Sequence, residues 1–406
     1  MTTTRQGDNQ QQLDDRQKQL AEQLSHFDLF SWEDQRVKWE LFDYARGRCP
    51  VAHTDGNGGF YIVSRYDDVR RVMEDWETFS STESPLVPTG VPSLCPIDDD
   101  PPVQTAARQL LNPLFSRKAL APYEEAMHQT AVDLIDAFID RGSAEILNEY
   151  AGPYVGRMLT KVIFNDLTDE ELNAAQELAL AVAEAATPEL FGQLFVMCTK
   201  YLERAKKRGI TGDGVLARLV NGRFGDRPIT QEEQIGCLGI LVLGGLDTTR
   251  AAIGNIAYRL TQHPGLEDRL RDPAWVRRDM DEFLRLDSPV AAMARVATRD
   301  VELNGVLIKK GERVQVRFDS ANRDTAKFRD ADQLVFDEAR SGHAAFGMGV
   351  HRCVGSNMAR MQIEIAFEEL LKRVKNIRLA PAADIKWVPG QSNALHTVDI
   401  EFDRVR

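Results

Sequence analysis

Residues 346–355 read FGMGVHRCVG and lead into a stretch, from about Val354 to Lys375, where Ala, Met, Ile and Leu recur at helical spacing. Cys353 therefore stands at a helix N-terminus, between Gly349 and Gly355. The glycines let the backbone turn closely against a flat ligand and aim amide N–H groups at the sulfur. The positive end of the helix and those amides favour a thiolate. Phe346 and His351 flank the same surface. A lone cysteine in a Gly-rich turn is most often an inert buried side chain. The full spacing, Phe-x-x-Gly-x-His-x-Cys-x-Gly, is much more specific than that.

Upstream, Thr230-Gln231-Glu232-Glu233 forms a capping box ahead of the longest apolar run, Ile235 to Leu246, and His263-Pro264-Gly265 closes that helix. No apolar run reaches the roughly 18 residues of a membrane span, so this one predicts a helix buried inside protein. Along it lies Gly244-Gly245-Leu246-Asp247-Thr248-Thr249. Two mid-helix glycines cost about 1 kcal/mol each against alanine, and close approach of a planar group or a small ligand is one reason to keep them. A carboxylate beside a hydroxyl in apolar surroundings is costly unless paired. Thr248 can bond back to the carbonyl four residues earlier and bend the helix. A functional and a structural role fit these residues equally well.

The rest of the chain is read outward from these two helices. Residues 1–25 are polar and Gln-rich and predict a frayed tail or short surface helix. Asp55-Gly56-Asn57-Gly58-Gly59 separates two apolar runs as in a hairpin, and a helix follows near Tyr66 to Glu74. Residues 79–102 form a long loop. From about Arg108 to Leu286 helix follows helix. Short strands return between Val296 and Val316, and a last strand pair fits around Leu379 and Ile400. The fold class is mainly α with small β-sheets, organised as a 1–25 tail and a single domain over 26–406.

Composition narrows the function. The 406 residues carry 50 Lys and Arg against 62 Asp and Glu, a net charge of −12. An acidic chain without a basic stripe makes a poor nucleic-acid binder and gains nothing from anionic lipid. The five cysteines, Cys49, Cys95, Cys198, Cys237 and Cys353, are scattered and form no CxxC pair, which argues against disulfide frameworks and structural zinc. The start, MTTTRQGDNQQQLDDRQKQL, lacks the apolar core of a signal peptide, so a cytoplasmic location is expected. No HxxxH, HExxH, GxGxxG or P-loop pattern is present, so no nucleotide site is visible.

The cysteine loop resembles that of the haem-thiolate monooxygenases, the cytochromes P450. Glu282-Phe283-Leu284-Arg285 is similar to the family's Glu-x-x-Arg helix, and Ala321-Asn322-Arg323-Asp324 with Phe336-x-x-x-Arg340 to its meander, all in the family's order. The resemblance covers nearly the whole chain. It implies the family's triangular prism, with haem b between the long central helix and the cysteine-loop helix. Cys353 then ligates the iron as a thiolate, with Phe346, Gly355 and Gly244 against the cofactor. Arg108, Arg295 and His351 become partners of the haem propionates, with Gln104 a weaker candidate where many members carry His. Asp247 and Thr248 become the acid–alcohol pair that delivers protons to bound O2, and Glu282, Arg285 and Arg340 a structural network.

The implied activity is oxygen insertion from O2 into an apolar small molecule. Electrons are expected from a separate ferredoxin and ferredoxin reductase, because no redox segment is fused. By position, Ile240, Leu243, Gly244, Val290, Ala291 and Ala292 line the substrate pocket, with the 81–98 loop and its Thr89 and Ser93. These small aliphatic residues suit a terpenoid or similarly compact molecule. A peroxide-driven enzyme, a haem sensor and a haem-free protein with an inert Cys353 are the rival readings, and the Asp247–Thr248 pair speaks against the first two.

Overall fold

The computed structural model describes residues 2–31, 35–83, 93–164, 167–185, 187–263, 265–336 and 340–405, with side chains described for these except at 2–12, 35, 183–184 and 273–277. Helices occupy most of the chain between Val103 and Asp287, and the sheets are small and peripheral. The helix Gln231–Gln262 runs through the centre and packs on the helices Gly152–Leu159, Asp169–Ala185, Pro188–Lys207 and Ser356–Arg373. Its start is fixed by the capping box: Glu233 N–H donates to Thr230 Oγ1 at 3.2 Å and Thr230 N–H to Glu233 Oε2 at 2.8 Å. By length and composition this helix is apolar enough to cross a membrane, yet 67% of its most apolar window is buried inside the protein.

A five-stranded sheet lies to one side, in the order Val51–Thr54, Phe60–Val63, Arg313–Arg317, Ala292–Ala297, Phe79–Ser80. The first two strands are the expected hairpin, pairing Val51 with Val63 and Thr54 with Phe60. Arg295 sits on an inner strand opposite Val314. Strand side chains alternate between faces, so Met293 and Arg295 share one face while Ala292 and Ala294 share the other. Ala294 packs in a core cluster with Phe27, Leu41, Phe42 and Phe60. The helix Thr2–Ser25 belongs to the same corner. The segment read as a polar tail or short surface helix is helical there, and Leu20 and Leu24 in its last turns are buried in that cluster.

The helix Pro273–Asp287 carries the Glu282–Arg285 pair. Arg285 is fully buried and donates to Glu282 through Nε (2.7 Å) and Nη2 (2.8 Å). It also donates to the carbonyls of Asn322 (2.5 Å), Ala331 (2.6 Å) and Gln333 (2.7 Å). Arg340 lies 3.7 Å from Glu282. One guanidinium thus ties the irregular segment 322–333 to the helix, just ahead of the cysteine loop.

Candidate functional site

The cysteine loop is shaped by backbone demands that its glycines meet. Gly349 has φ +63°, and a Cβ there would run into the Met73 carbonyl, so only glycine lets this turn lie against the helix Tyr66–Glu74. Cys353 N–H donates to the Phe346 carbonyl at 2.8 Å, closing the loop on itself. Gly355 caps the helix Ser356–Arg373, and its N–H donates to the Cys353 sulfur. Phe346 lies under the Arg360 guanidinium at 4.4 Å, which Asp281 holds at 2.7 Å. Burial pushes the Cys353 thiol up; the Gly355 N–H and the Arg108, Arg352 and Arg360 charges oppose that.

Cys353 is accessible, but to a cavity that it lines, with protein packed around it. The central helix supplies one wall through Ile240, Gly244, Thr248 and Ala252, spaced four apart on one face, with Leu241, Gly245 and Thr249 beside them. Pro289, Val290, Met293 and Arg295 supply a second wall, and Phe346, His351, Cys353 and Gly355 a third. Residues that the sequence did not single out complete it: Met73, Leu111, Phe115, Leu159 and Ile163. Their apolar spacing is the same as that of ordinary core residues, so no sequence signal distinguished them.

Two guanidinium groups and an imidazole gather at this cavity without a carboxylate partner among the described residues. Arg108, Arg295 and His351 line it and form no ion pair among the described residues. Arg295 is buried and donates to the Ala294 carbonyl at 2.6 Å; burial lowers its pKa to about 10, with Asp100 pulling the other way. Burial lowers that of Arg108 too, against the Cys353 charge. His351 is pushed down to about 3 by burial, with Arg295 and Arg108 adding to the effect. Its Nε2 meets Ser81 Oγ at 3.1 Å, whereas its Nδ1 and the Arg108 Nε are buried with no hydrogen-bond partner. Stranded donors in a cationic patch call for an anionic ligand. A flat group with carboxylates at one edge and a soft metal site fits these residues: sulfur for the metal, guanidinium and imidazole donors for the carboxylates.

Several expected positions lie elsewhere. Gln104 does not reach the cavity: its buried side-chain amide donates to the Val350 carbonyl and braces the cysteine loop from behind. Leu243 is off the cavity wall: it sits about 100° round the helix from Gly244 on the side away from Gly245, which does line the cavity. Ala291 and Ala292 are fully buried and do not line it either. Ala291 is tied by its N–H to the Gln391 carbonyl at 2.7 Å, and Ala292 faces away from Met293 and Arg295. Within the 81–98 loop, Pro96 and Ile97 reach the wall, Ser93 donates to Asp98 at 3.1 Å, and Thr89 lies outside the described residues.

The adjacent pair on the central helix is split. Thr248 faces the cavity and donates to the Gly244 carbonyl at 2.7 Å, the back-bond expected of a mid-helix threonine. Asp247 is buried behind the wall, where its Oδ2 accepts from Ser392 Oγ at 2.9 Å. The two glycines divide likewise. A Cβ on Gly244 would meet nothing within 4 Å, whereas one on Gly245 would come within 2.5 Å of Leu159 Cδ1.

Comparison with known proteins gives a consistent answer. The family model described as Cytochrome P450 matches residues 276–382. The chain is similar to a linalool 8-monooxygenase of Pseudomonas putida, 30% identical over 88% of this chain and 93% of that one. It is also similar to a putative cytochrome P450 141 of Mycobacterium tuberculosis, 31% identical over 88% and 92% of the two chains. Among solved structures, CYP101J2 superposes with a TM-score of 0.82 at 28% identity, covering 93% of this chain and 96% of that one.

Proposed function

This chain belongs to the cytochrome P450 family of haem-dependent monooxygenases, and from that premise we propose that it hydroxylates a compact apolar molecule, with haem b held by Cys353. The observation that carries the reading is one cavity lined by a cysteine sulfur at a helix N-terminus and by two guanidinium groups and an imidazole lacking carboxylate partners among the described residues. When bound, the haem supplies a thiolate-ligated iron at which O2 is reduced. Everything else falls to the chain. The Gly355 N–H and the helix end stabilise negative charge on the Cys353 sulfur. Arg108 and Arg295 neutralise the propionates, His351 offers them a hydrogen bond, and Gly244 leaves room for the flat face beside Phe346.

Protons enter from the central helix. The Thr248 hydroxyl faces the cavity, and the Asp247 carboxylate beside it takes up a proton behind the wall and passes it forward. The substrate meets Ile240, Val290, Met293, Leu111 and Phe115, a mostly apolar enclosure that favours a terpenoid-sized molecule without a charged anchor. The relative named for linalool is in keeping with that class. Electrons come from a ferredoxin and its reductase, and Arg70, Arg71, Lys118 and Arg352 are the basic residues offered for docking. A cytoplasmic setting completes the reading, since all five cysteines are free.

The test is the absorption spectrum of the dithionite-reduced, carbon monoxide-bound protein. A strongly red-shifted Soret band, lost in Cys353→His, is the expected result. A band at the position typical of histidine-ligated haem in the unmodified protein, or no haem at all after expression with adequate haem supply, overturns the assignment.

A further inference from the structure

We propose that Ser392 is a positioning residue for Asp247: its hydroxyl holds the carboxylate behind the cavity wall in the orientation from which it serves Thr248. The proposal rests on the reading of Asp247 and Thr248 as the proton-delivering pair. Adjacent residues on a helix point about 100° apart, and only one of this pair lines the cavity. Thr248 does, and Asp247 turns towards the segment 390–395, where Ser392 Oγ donates to Oδ2 at 2.9 Å. A hydrogen bond to a carboxylate is stronger than one between neutral groups, and it fixes one of the two oxygens.

A positioning role requires that the donor itself be held, and this one is. The turn bearing Ser392 is tied down on both sides. The Ala291 N–H donates to the Gln391 carbonyl at 2.7 Å, and the Asn393 N–H to the Pro289 carbonyl at 2.9 Å. Asn393 is fully buried; its side chain donates to the Ser288 carbonyl at 3.0 Å, and its own carbonyl accepts from Asn255 Nδ2, on the central helix, at 2.7 Å. Lys38 donates to the Asn393 side-chain oxygen from a third direction. Ser392 also bridges Val290, a residue of the cavity wall. The hydroxyl is therefore referenced to the same helix and the same wall that carry Asp247 and the cavity, which is how a preorganised contact is built. A serine 145 residues away in sequence gains this placement only through the fold.

The experiment compares the full-length, haem-loaded protein with Ser392→Ala, Ser392→Thr, Ser392→Val, Asp247→Asn and Thr248→Ala. Infrared spectra of the reduced, carbon monoxide-bound forms assign the Asp247 carboxylate band by its loss in Asp247→Asn. A surrogate ferredoxin and ferredoxin reductase with NADPH then give the ratio of hydrogen peroxide released to water formed. The expected result is that Ser392→Ala and Ser392→Val shift the band and raise the ratio about three- to tenfold, while Ser392→Thr keeps both near the unmodified protein. Ser392→Ala adds little on top of Asp247→Asn, because both act through one contact. Thr and Val have nearly the same shape, so a packing effect would move both alike. If Asp247→Asn and Thr248→Ala raise the ratio but Ser392→Ala and Ser392→Val do not, or if the band stays in place, the proposal is overturned and the Asp247–Thr248 reading stands. If Asp247→Asn leaves the ratio unchanged, the underlying reading fails as well.

Discussion

Replacing Gly244 and Gly245 by alanine, one at a time, separates two demands placed on neighbouring residues of one helix. Both lie inside Gln231–Gln262, so each alanine gains about 1 kcal/mol of helix propensity. At 244 nothing within 4 Å opposes the new methyl, and the gain stands. At 245 the methyl comes within 2.5 Å of Leu159 Cδ1 and 3.6 Å of its Cδ2 and Cγ. Leu159 is 4% exposed, so its retreat disturbs a packed core, at about 1–3 kcal/mol. The two variants should therefore differ by about 2 kcal/mol, with Gly245→Ala the weaker. With a urea slope of roughly 4 kcal/mol/M for a chain of this size, the unfolding midpoints separate by about 0.5 M. Ligand binding should run the other way. The methyl at 244 projects into the space assigned to haem and substrate, so haem content or the affinity for phenylimidazole falls in Gly244→Ala and holds in Gly245→Ala. Circular dichroism in urea and spectral titration measure the two effects. Equal midpoints, or loss of phenylimidazole affinity in Gly245→Ala alone, would refute the division of labour.

Three other perturbations test different parts of the structure. Arg295→Leu removes a buried cavity cation, so the purified protein should contain clearly less haem per chain than the unmodified one; normal haem content by the pyridine haemochrome assay counts against a propionate contact. Arg285→Lys leaves at most three donors where five hydrogen bonds stand, and the loss of two charge-assisted bonds should cost about 3 kcal/mol in urea unfolding. Lys38 is buried, and desolvation outweighs Asp319 to lower its pKa from 10.5 to about 8. A folded pKa below the unfolded one means the unfolded chain binds more protons between pH 8 and 10.5, so this group adds stability as pH rises through that window. Relative to Lys38→Met, the unmodified protein should gain up to about 3 kcal/mol there, and parallel stability curves would exclude the effect.

The parts of the site legible in the sequence are those where a few consecutive residues determine their own backbone. The loop ending at Cys353 needs positive φ at Gly349 and a helix cap at Gly355, and both demands are written within ten residues. The capping box at Thr230 and the hairpin at Asp55–Gly59 are local in the same way. Periodicity carries further but is coarse. Ile240, Gly244 and Thr248 share the cavity face because they are four apart, yet Leu243 looks as suitable until the helix is rotated into its packing. Similarly, Ala291 and Ala292 are the right chemical type, and only the strand register, with Arg295 opposite Val314, turns Met293 inward and Ala292 away.

What the sequence hides is the set of contacts made across the fold. Gln104 has the composition of a cofactor contact and instead spends its amide on the Val350 carbonyl, a partner 246 residues away. Ser392 has no motif around it, and its link to Asp247 exists because Ser288, Pro289, Ala291 and Asn255 converge on one turn. The consequence is functional. Cys353 can be altered locally with foreseeable results, because its N–H bond to Phe346 and the N–H it accepts from Gly355 both lie within its own loop. The orientation of Asp247 depends on a turn tied to Lys38, Ser288 and the central helix, so substitutions far from the cavity should change proton delivery without touching haem or substrate. Lys38→Met, chosen above for its effect on stability, is such a substitution: if the turn transmits its position to Ser392, the peroxide-to-water ratio rises in this variant while the Soret spectrum stays the same. An unchanged ratio would mean that Asn393 holds the turn without the lysine, through the carbonyl of Ser288 and the side chain of Asn255.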